Sequence, residues 1–206
     1  MITTQYEQER FDKTNPTRLY SLRCMGRSRR HRFINRHGSC NHTGPHTNCR
    51  CASTSLSYLS YYMAQRKGVY IDFGCGDSPD AAIASDAGHY AYALDLVPPS
   101  ESYQPSTIYN LGRFFKGDIT GNMNNFGSGF ADYASCHAVI SLMRPYERID
   151  FYHNVLSILR HGGLFAFTIN QLRDGWKCNT SEECRVMQEI GFRFKHKGTT
   201  PLAYKP

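Results

Sequence analysis

The residues with the clearest chemical promise are Asp72-Phe73-Gly74-Cys75-Gly76. They close the apolar run Val69-Tyr70-Ile71-Asp72-Phe73, so they read as a strand that ends in a glycine turn. Glycine at such a turn leaves no Cβ between the backbone and a ligand. Asp95 ends a second apolar run, Tyr90 to Leu96, 23 residues after Asp72. An acid at about that spacing is placed to accept hydrogen bonds from both hydroxyls of a ribose. The turn continues Asp77-Ser78-Pro79-Asp80, without the third glycine of a dinucleotide site. Carboxylates there would repel a pyrophosphate, whereas they suit a nucleoside cofactor with a cationic end.

A second cluster could hold metal. His37, Cys40, His46, Cys49 and Cys51, with His42 beside them, crowd one short stretch. His37-x₂-Cys40 and His46-x₂-Cys49 are short-spaced pairs that can set two ligand atoms around one ion. Zinc takes about four such N/S ligands, often in loop-rich segments with little core of their own. Cys40, Cys49 and Cys51, completed by His46 or His37, are the expected set for a structural zinc. The alternative is a His-rich loop with free thiols.

The elements that must position these residues follow from hydrophobic period. Ser55 to Arg66 reads as a helix with Leu56, Leu59, Tyr62 and Met63 on one face. Strands are predicted at Val69–Phe73, Tyr90–Leu96, Phe114–Asp118, Tyr133–Leu142 and Leu164–Ile169. Helices are predicted at Pro79–Ala87, Tyr146–Leu159 and Ser181–Ile190, with His161-Gly162-Gly163 ending the second of these. Phe192–Lys195 and Pro201–Tyr204 read as a closing hairpin. Strands alternating with helices imply an α/β fold with a doubly wound, mostly parallel sheet. The organisation expected is a basic, zinc-binding N-terminal segment, residues 1–67, followed by a catalytic domain, residues 68–206.

Charge sharpens that division. The 206 residues carry a formal net charge of +7. Residues 1–68 hold 12 of the 24 Lys+Arg but only 3 of the 17 Asp+Glu, including the run Arg27-Ser28-Arg29-Arg30-His31-Arg32. Concentrated positive charge is a footprint for polyanions, nucleic acid first. Tyr58, Tyr61 and Tyr62 could stack on bases, although packing within a helix is the commoner use of such residues. No apolar run approaches the roughly 18 residues of a membrane helix, and Met1-Ile2-Thr3-Thr4-Gln5 does not resemble a signal peptide. An intracellular, more specifically cytoplasmic, protein is therefore expected.

Four motifs in order carry a resemblance. Asp72-Phe73-Gly74-Cys75-Gly76 looks like the first motif of class I S-adenosylmethionine-dependent methyltransferases. Asp95 matches their ribose-binding acid. Lys116-Gly117-Asp118-Ile119 resembles their adenine-side motif, and Leu159-Arg160-His161-Gly162-Gly163-Leu164-Phe165 the turn before their fifth strand. The resemblance implies a Rossmann-like methyltransferase fold and cofactor contacts from Asp72, Gly74, Gly76, Asp95, Asp118, Ile119 and His137. The positive sulfonium of S-adenosylmethionine agrees with the acidic turn, and NAD does not.

A narrower resemblance is to messenger-RNA cap guanine-N7 methyltransferases. It rests on Asp132-Tyr133-Ala134-Ser135-Cys136-His137, Tyr146-Glu147, Asp150, Asn154, Gly162-Gly163 and Thr168-Ile169-Asn170, with Asp80 matching an acid after the glycine turn. His137 stands for that family's Gln, Ser141-Leu142 for its His-Tyr, and Asp77-Ser78-Pro79 for its Lys-Gly-Gly. This likeness implies capped RNA as partner, Arg144 and Tyr146 as candidate substrate-binding residues, and no catalytic base, because guanine N7 carries a lone pair and no proton. His137 could act as a base toward an O–H acceptor, but lining the pocket is its expected role. Two other readings are a methyltransferase acting on a small molecule or protein, and a catalytically silent nucleic-acid-binding module.

Overall fold

The computed structural model describes residues 53–99, 106–123, 126–169, 176 and 178–206. In chain order the elements are α1 (Thr54–Gln65), β1 (Val69–Phe73), α2 (Asp80–Asp86), β2 (Tyr90–Asp95), α3 (Ser106–Tyr109), β3 (Phe114–Lys116), β4 (Ala131–His137), a 3₁₀ turn (Ile140–Leu142), α4 (Pro145–Ile158), β5 (Leu159–Thr168), α5 (Thr180–Ile190), β6 (Arg193–His196) and β7 (Leu202–Tyr204). The seven strands form one sheet in the order β3-β2-β1-β4-β5-β7-β6. The pairs among β1 to β5 are parallel, and β7 enters antiparallel between β5 and β6. The expected doubly wound α/β sheet and its closing hairpin are both present.

Alternation along the strands builds two apolar layers. Tyr70, Ala93, Tyr133 and Ala166 point to the layer filled by Leu56, Leu59 and Met63 of α1 and by Ala81, Ile83 and Ala84 of α2. Ile71, Phe73, Ala134 and Phe165 point to the opposite layer, filled by Phe151, Tyr152, Val155 and Ile158 of α4 and Met187 of α5. A strand buried on both faces reads as a near-continuous apolar run, which is how Val69–Phe73 is written.

Helix α1 is tied to this sheet at both ends. Ser53 caps it, its Oγ accepting from Leu56 N at 3.1 Å. At the other end the Tyr133 hydroxyl reaches the carbonyls of Tyr62 and Arg66, at 3.2 and 2.9 Å. On the opposite face a buried polar knot joins α4 to α5. Arg148 Nη1 donates to Glu183 Oε1 at 2.6 Å, and the Tyr152 hydroxyl donates to Glu183 Oε2 at 2.6 Å. Arg148 Nε completes it by donating to Met143 O at 3.1 Å.

Two element boundaries differ from the sequence reading. The strand expected over Tyr133–Leu142 ends at His137, because Ala138 takes φ +62° and the chain then coils into the 3₁₀ turn. Gly162-Gly163 does not stop the preceding helix. It lies inside β5, which begins at Leu159 and breaks register with β4 between Ala131 and Tyr133. A Cβ on Gly163 would meet Arg160 O at 2.9 Å and Ala131 O at 3.1 Å, so the glycine permits an irregular strand. Helix α3 carries too short an apolar pattern to have been predicted.

The exposure difference along α1 gives a stability test. Leu59 is fully buried and Tyr61 is 68% exposed. Leu59→Ala should cost about 2–5 kcal/mol, and Tyr61→Ala should stay within about 0.5 kcal/mol. Urea titration of both variants checks the contrast.

Candidate functional site

Parallel strands with helices on both faces leave a crevice at their carboxyl ends, and the chemistry-bearing residues collect there. Asp72 lies one residue from the end of β1, Asp95 ends β2, Asp118 and Ile119 follow β3, and His137 ends β4. Gly74 and Gly76, both at positive φ (+67° and +47°), form the turn between β1 and α2.

The glycine turn and Asp95 hold each other. Gly74 N and Cys75 N both donate to Leu94 O, at 2.8 and 3.0 Å, which pins the turn to the end of β2. Gly76 N donates to Asp95 Oδ2 at 2.8 Å, and Val97 N donates to Asp95 Oδ1 at 3.2 Å.

Gly74 serves packing. A Cβ there would lie 2.6 Å from Val139 Cγ2. The space that the sequence reading reserved for a ligand is taken at this position by the segment after β4. Glycine is required at Gly74 by its φ and by Val139 before any ligand arrives.

Asp72, Asp80 and Asp95 are all buried. Ser135, opposite Asp72 in the β1–β4 register, donates its Oγ to Asp72 Oδ1 at 2.9 Å. Ser135 Oγ also pairs with the Tyr70 hydroxyl at 2.6 Å, giving a buried polar chain across the two central strands. Asp72 Oδ2 has no hydrogen-bond partner among the described residues. Asp80 Oδ1 accepts from Ser53 N at 2.8 Å, which ties the start of α1 to the start of α2. Burial, then the charge of Asp80 and, more weakly, that of Asp95, push the Asp72 carboxyl well above the usual carboxylate range. Burial and the charges of Asp95, Asp72 and Asp77 likewise push the Cys75 thiol up.

His137 is half-buried, and its Nδ1 lies 2.8 Å from Thr168 Oγ1. Ala138 N donates to Thr168 O and Thr168 Oγ1, at 3.1 and 3.0 Å, which supports the left-handed backbone at Ala138. Asp118 Oδ1 accepts from Thr120 N and Thr120 Oγ1, at 2.9 and 2.8 Å, and so shapes the loop after β3. Asn154 of α4 clamps that loop by donating to Ile119 O at 3.1 Å and Gly121 O at 2.7 Å. Arg144 and Tyr146 lie at the start of α4, where Arg144 Nη1 reaches the Tyr146 hydroxyl at 2.9 Å and the Tyr146 ring is exposed. Arg144 N is held by Glu147 Oε2 at 2.6 Å.

The sequence reading singled out Asp72, Gly74, Gly76, Asp95, Asp118, Ile119 and His137, and all lie at this one end of the sheet. It did not find the Tyr70–Ser135–Asp72 chain or the grip of Thr168 on His137. Both depend on strand register, and only the family likeness had drawn Ser135 and Thr168 into view. His37, Cys40, His46, Cys49 and Cys51 lie outside the described residues. Among the described residues no group of three or more His, Cys, Asp or Glu could hold a metal ion. No described helix is long and apolar enough to cross a membrane.

Comparison with solved structures places the fold. The chain is similar to the Burkholderia thailandensis 1,6-didemethyltoxoflavin-N1-methyltransferase, solved with 1,6-didemethyltoxoflavin and S-adenosylhomocysteine bound. The TM-score is 0.60 at 17% identity, over 77% of this chain and 78% of that one. A TehB-like S-adenosylmethionine-dependent methyltransferase from Corynebacterium glutamicum matches with TM-score 0.58 at 16% identity, over 90% and 98% of the two chains. Magnesium protoporphyrin IX methyltransferase from Synechocystis, with bound S-adenosylmethionine, matches with TM-score 0.57 at 15% identity, over 74% and 78%. No family model and no curated protein matches the sequence. The chain has the class I fold of S-adenosylmethionine-dependent methyltransferases.

The buried acid yields a pH test. The raised carboxyl of Asp72 contributes stability that is fully present below its unfolded pKa, about 3.9, and is lost as pH rises through the folded value. Asp72→Asn keeps an acceptor for Ser135 and removes that loss. Without cofactor, the variant should be more stable than wild type at neutral pH by about 1 kcal/mol, or roughly 2–4 °C in Tm, with the difference vanishing near pH 4. Thermal melts between pH 4 and 8 read it directly, and equal melting temperatures at pH 7 would refute a pH-dependent cost of burying Asp72.

Proposed function

We propose that this protein is an S-adenosylmethionine-dependent methyltransferase. The observation that carries the reading is the junction of the glycine turn with Asp95, in which Gly76 N meets Asp95 Oδ2 beside the buried Asp72 and Asp80. The residues fit the cofactor. Asp95 would hold the ribose hydroxyls, while Asp118 and Ile119 would face the adenine. Asp72 and the Gly74–Gly76 turn would meet the cationic amino-acid end, where the bare Asp72 Oδ2 offers an acceptor, and His137 would line the pocket. When bound, the cofactor supplies a methyl group carried on positive sulfur.

We infer RNA as the acceptor, with the guanine N7 of a cap as the favoured atom. Three features support this: the motif likeness around Ser135, Asn154 and Thr168, the basic N-terminal segment, and the exposed Tyr146 ring beside Arg144 at the start of α4. An N7 acceptor carries no proton, so the protein need only align it with the methyl group and exclude water, an effect worth up to about 7–11 kcal/mol. His137, held by Thr168 Oγ1, then orients the pocket and moves no proton. Cys40, Cys49 and Cys51, with His46 or His37, would bind one structural zinc in the N-terminal segment.

A second reading is favoured by the neighbours. The Burkholderia and Synechocystis enzymes are named for 1,6-didemethyltoxoflavin and magnesium protoporphyrin IX as substrates. On that reading Tyr146 and Arg144 would receive a small molecule. A transfer assay with labelled cofactor across capped RNA, uncapped RNA and small heterocycles separates the two, and label in the heterocycles alone would dismiss RNA.

Asp95→Ala should weaken S-adenosylhomocysteine binding by about 1.5–3 kcal/mol, as for hydrogen bonds to a charged group. Unchanged affinity by calorimetry would remove Asp95 from the cofactor site. Purified protein prepared without chelators should carry about one zinc per chain, and Cys49→Ser should lower that content.

A further inference from the structure

We infer that the outer face of α1 and the edge strand β6 form a track for single-stranded RNA that leads to the carboxyl end of the sheet. The inference deepens the RNA reading above and rests on it. It starts from rings that the fold leaves outside. Tyr58 and Tyr61 of α1 are exposed, although helix packing is the commoner fate of such residues. Tyr58 stacks on His196 of β6, with centroids 5.8 Å apart and planes 18° apart. Tyr61 meets Tyr62 edge-on at 5.2 Å. Lys195 of β6 stands 5.5 Å from the ring centres of both Tyr62 and Tyr204.

Charge on the segments that supply this face has one sign. No Asp or Glu occurs from residue 53 to residue 71 or from residue 190 to residue 206, the segments that supply α1, β6 and β7. Arg193, Lys195 and His196 are exposed. Cations that follow an extended edge, with aromatic faces between them, are the elements by which proteins hold single strands. Phosphates take the charge and bases stack.

Register gives the track its direction. His196 pairs with Leu202, Leu202 with Ala166, Ala166 with Ser135, and Ser135 with Asp72. The Tyr58–His196 stack is therefore level with Asp72, near the carboxyl end of the sheet. Arg193 lies at the far end of β6, level with Tyr204 and Leu164. A strand laid from Arg193 to His196 runs toward the crevice.

The test uses the full-length protein and a 5′-fluorescein single-stranded RNA of about 12 nucleotides, within the usual site size, read by anisotropy. Replacing Tyr58 and Tyr61 together by Ala should weaken binding about 10-fold or more, while Tyr58→Phe with Tyr61→Phe should stay within about 3-fold of wild type, because stacking needs the ring and not the hydroxyl. Arg193→Gln with Lys195→Gln should reduce the slope of log affinity against log salt by about 1.4, near 0.7 for each phosphate contact. Affinity for S-adenosylhomocysteine should not change in any of these variants.

RNA affinity within 2-fold of wild type in both the Ala and the Gln variants overturns the track. So does a loss confined to the Gln variant, because cations on an edge strand also serve to block strand pairing between molecules. Variants that lose RNA while wild type transfers no methyl group to RNA leave the track standing and remove RNA as acceptor. Methyl transfer to RNA with unaltered affinity in every variant does the reverse.

Discussion

A carboxylate taken out of water costs several kcal/mol unless hydrogen bonds or a cation offset it. This protein buries Asp72, Asp80 and Asp95 around one glycine turn, and much of its architecture answers that cost. Ser135 on β4 donates to Asp72 and is itself joined to Tyr70, so the pairing of the two central strands carries a polar chain as well as a backbone ladder. Ser53 N donates to Asp80, which fixes where α1 begins. Gly76 N and Val97 N donate to Asp95, which fixes the turn against β2. The offset is incomplete at Asp72 Oδ2. On the cofactor reading proposed above, a ligand with a positive end would complete that offset, and an anionic one would not.

The sequence shows the glycine turn, Asp95 and the alternation of elements because each is written in consecutive residues. Val69–Phe73 is a strand buried on both faces, and it is apolar except for Asp72. Relationships across strands are less legible. Ser135 becomes the partner of Asp72 only through parallel register. Thr168 reaches His137 only because β5 runs level with β4 at that point. Gly162-Gly163 has the composition of a helix stop, yet it falls within β5, since the missing Cβ admits the backbone oxygens of Arg160 and Ala131. The same pair of letters serves either purpose, and packing decides between them.

Ala138 shows a different kind of gap. A non-glycine residue at φ +62° costs roughly 1–2 kcal/mol, and nothing in its neighbours' residue types announces it. Its amide is held by Thr168 O and Oγ1. The turn that follows brings Val139 against Gly74, at a distance that leaves no room for a Cβ. The strained residue thus sets His137 and the glycine turn relative to each other from opposite sides of the crevice. Such strain persists where the surroundings over-determine it, and that condition is met most often at functional sites.

Carboxylates inside and cations outside constrain how a polyanion could be used. Phosphates near Asp72, Asp80 and Asp95 would meet like charge in a low-dielectric setting, where repulsion is stronger than in water. A strand must then be gripped elsewhere and present only an uncharged ring to the crevice. Helix α1 is suited to separate these tasks. Its first amide neighbour, Ser53 N, binds Asp80, its inner face is core, and its outer face carries Tyr58 and Tyr61 in an acid-free segment. One helix thereby sets the acidic turn on one side and the aromatic face on the other. On the RNA reading proposed above, the distance between phosphate grip and reacting base would be set by the packing of α1 on β4 and β5.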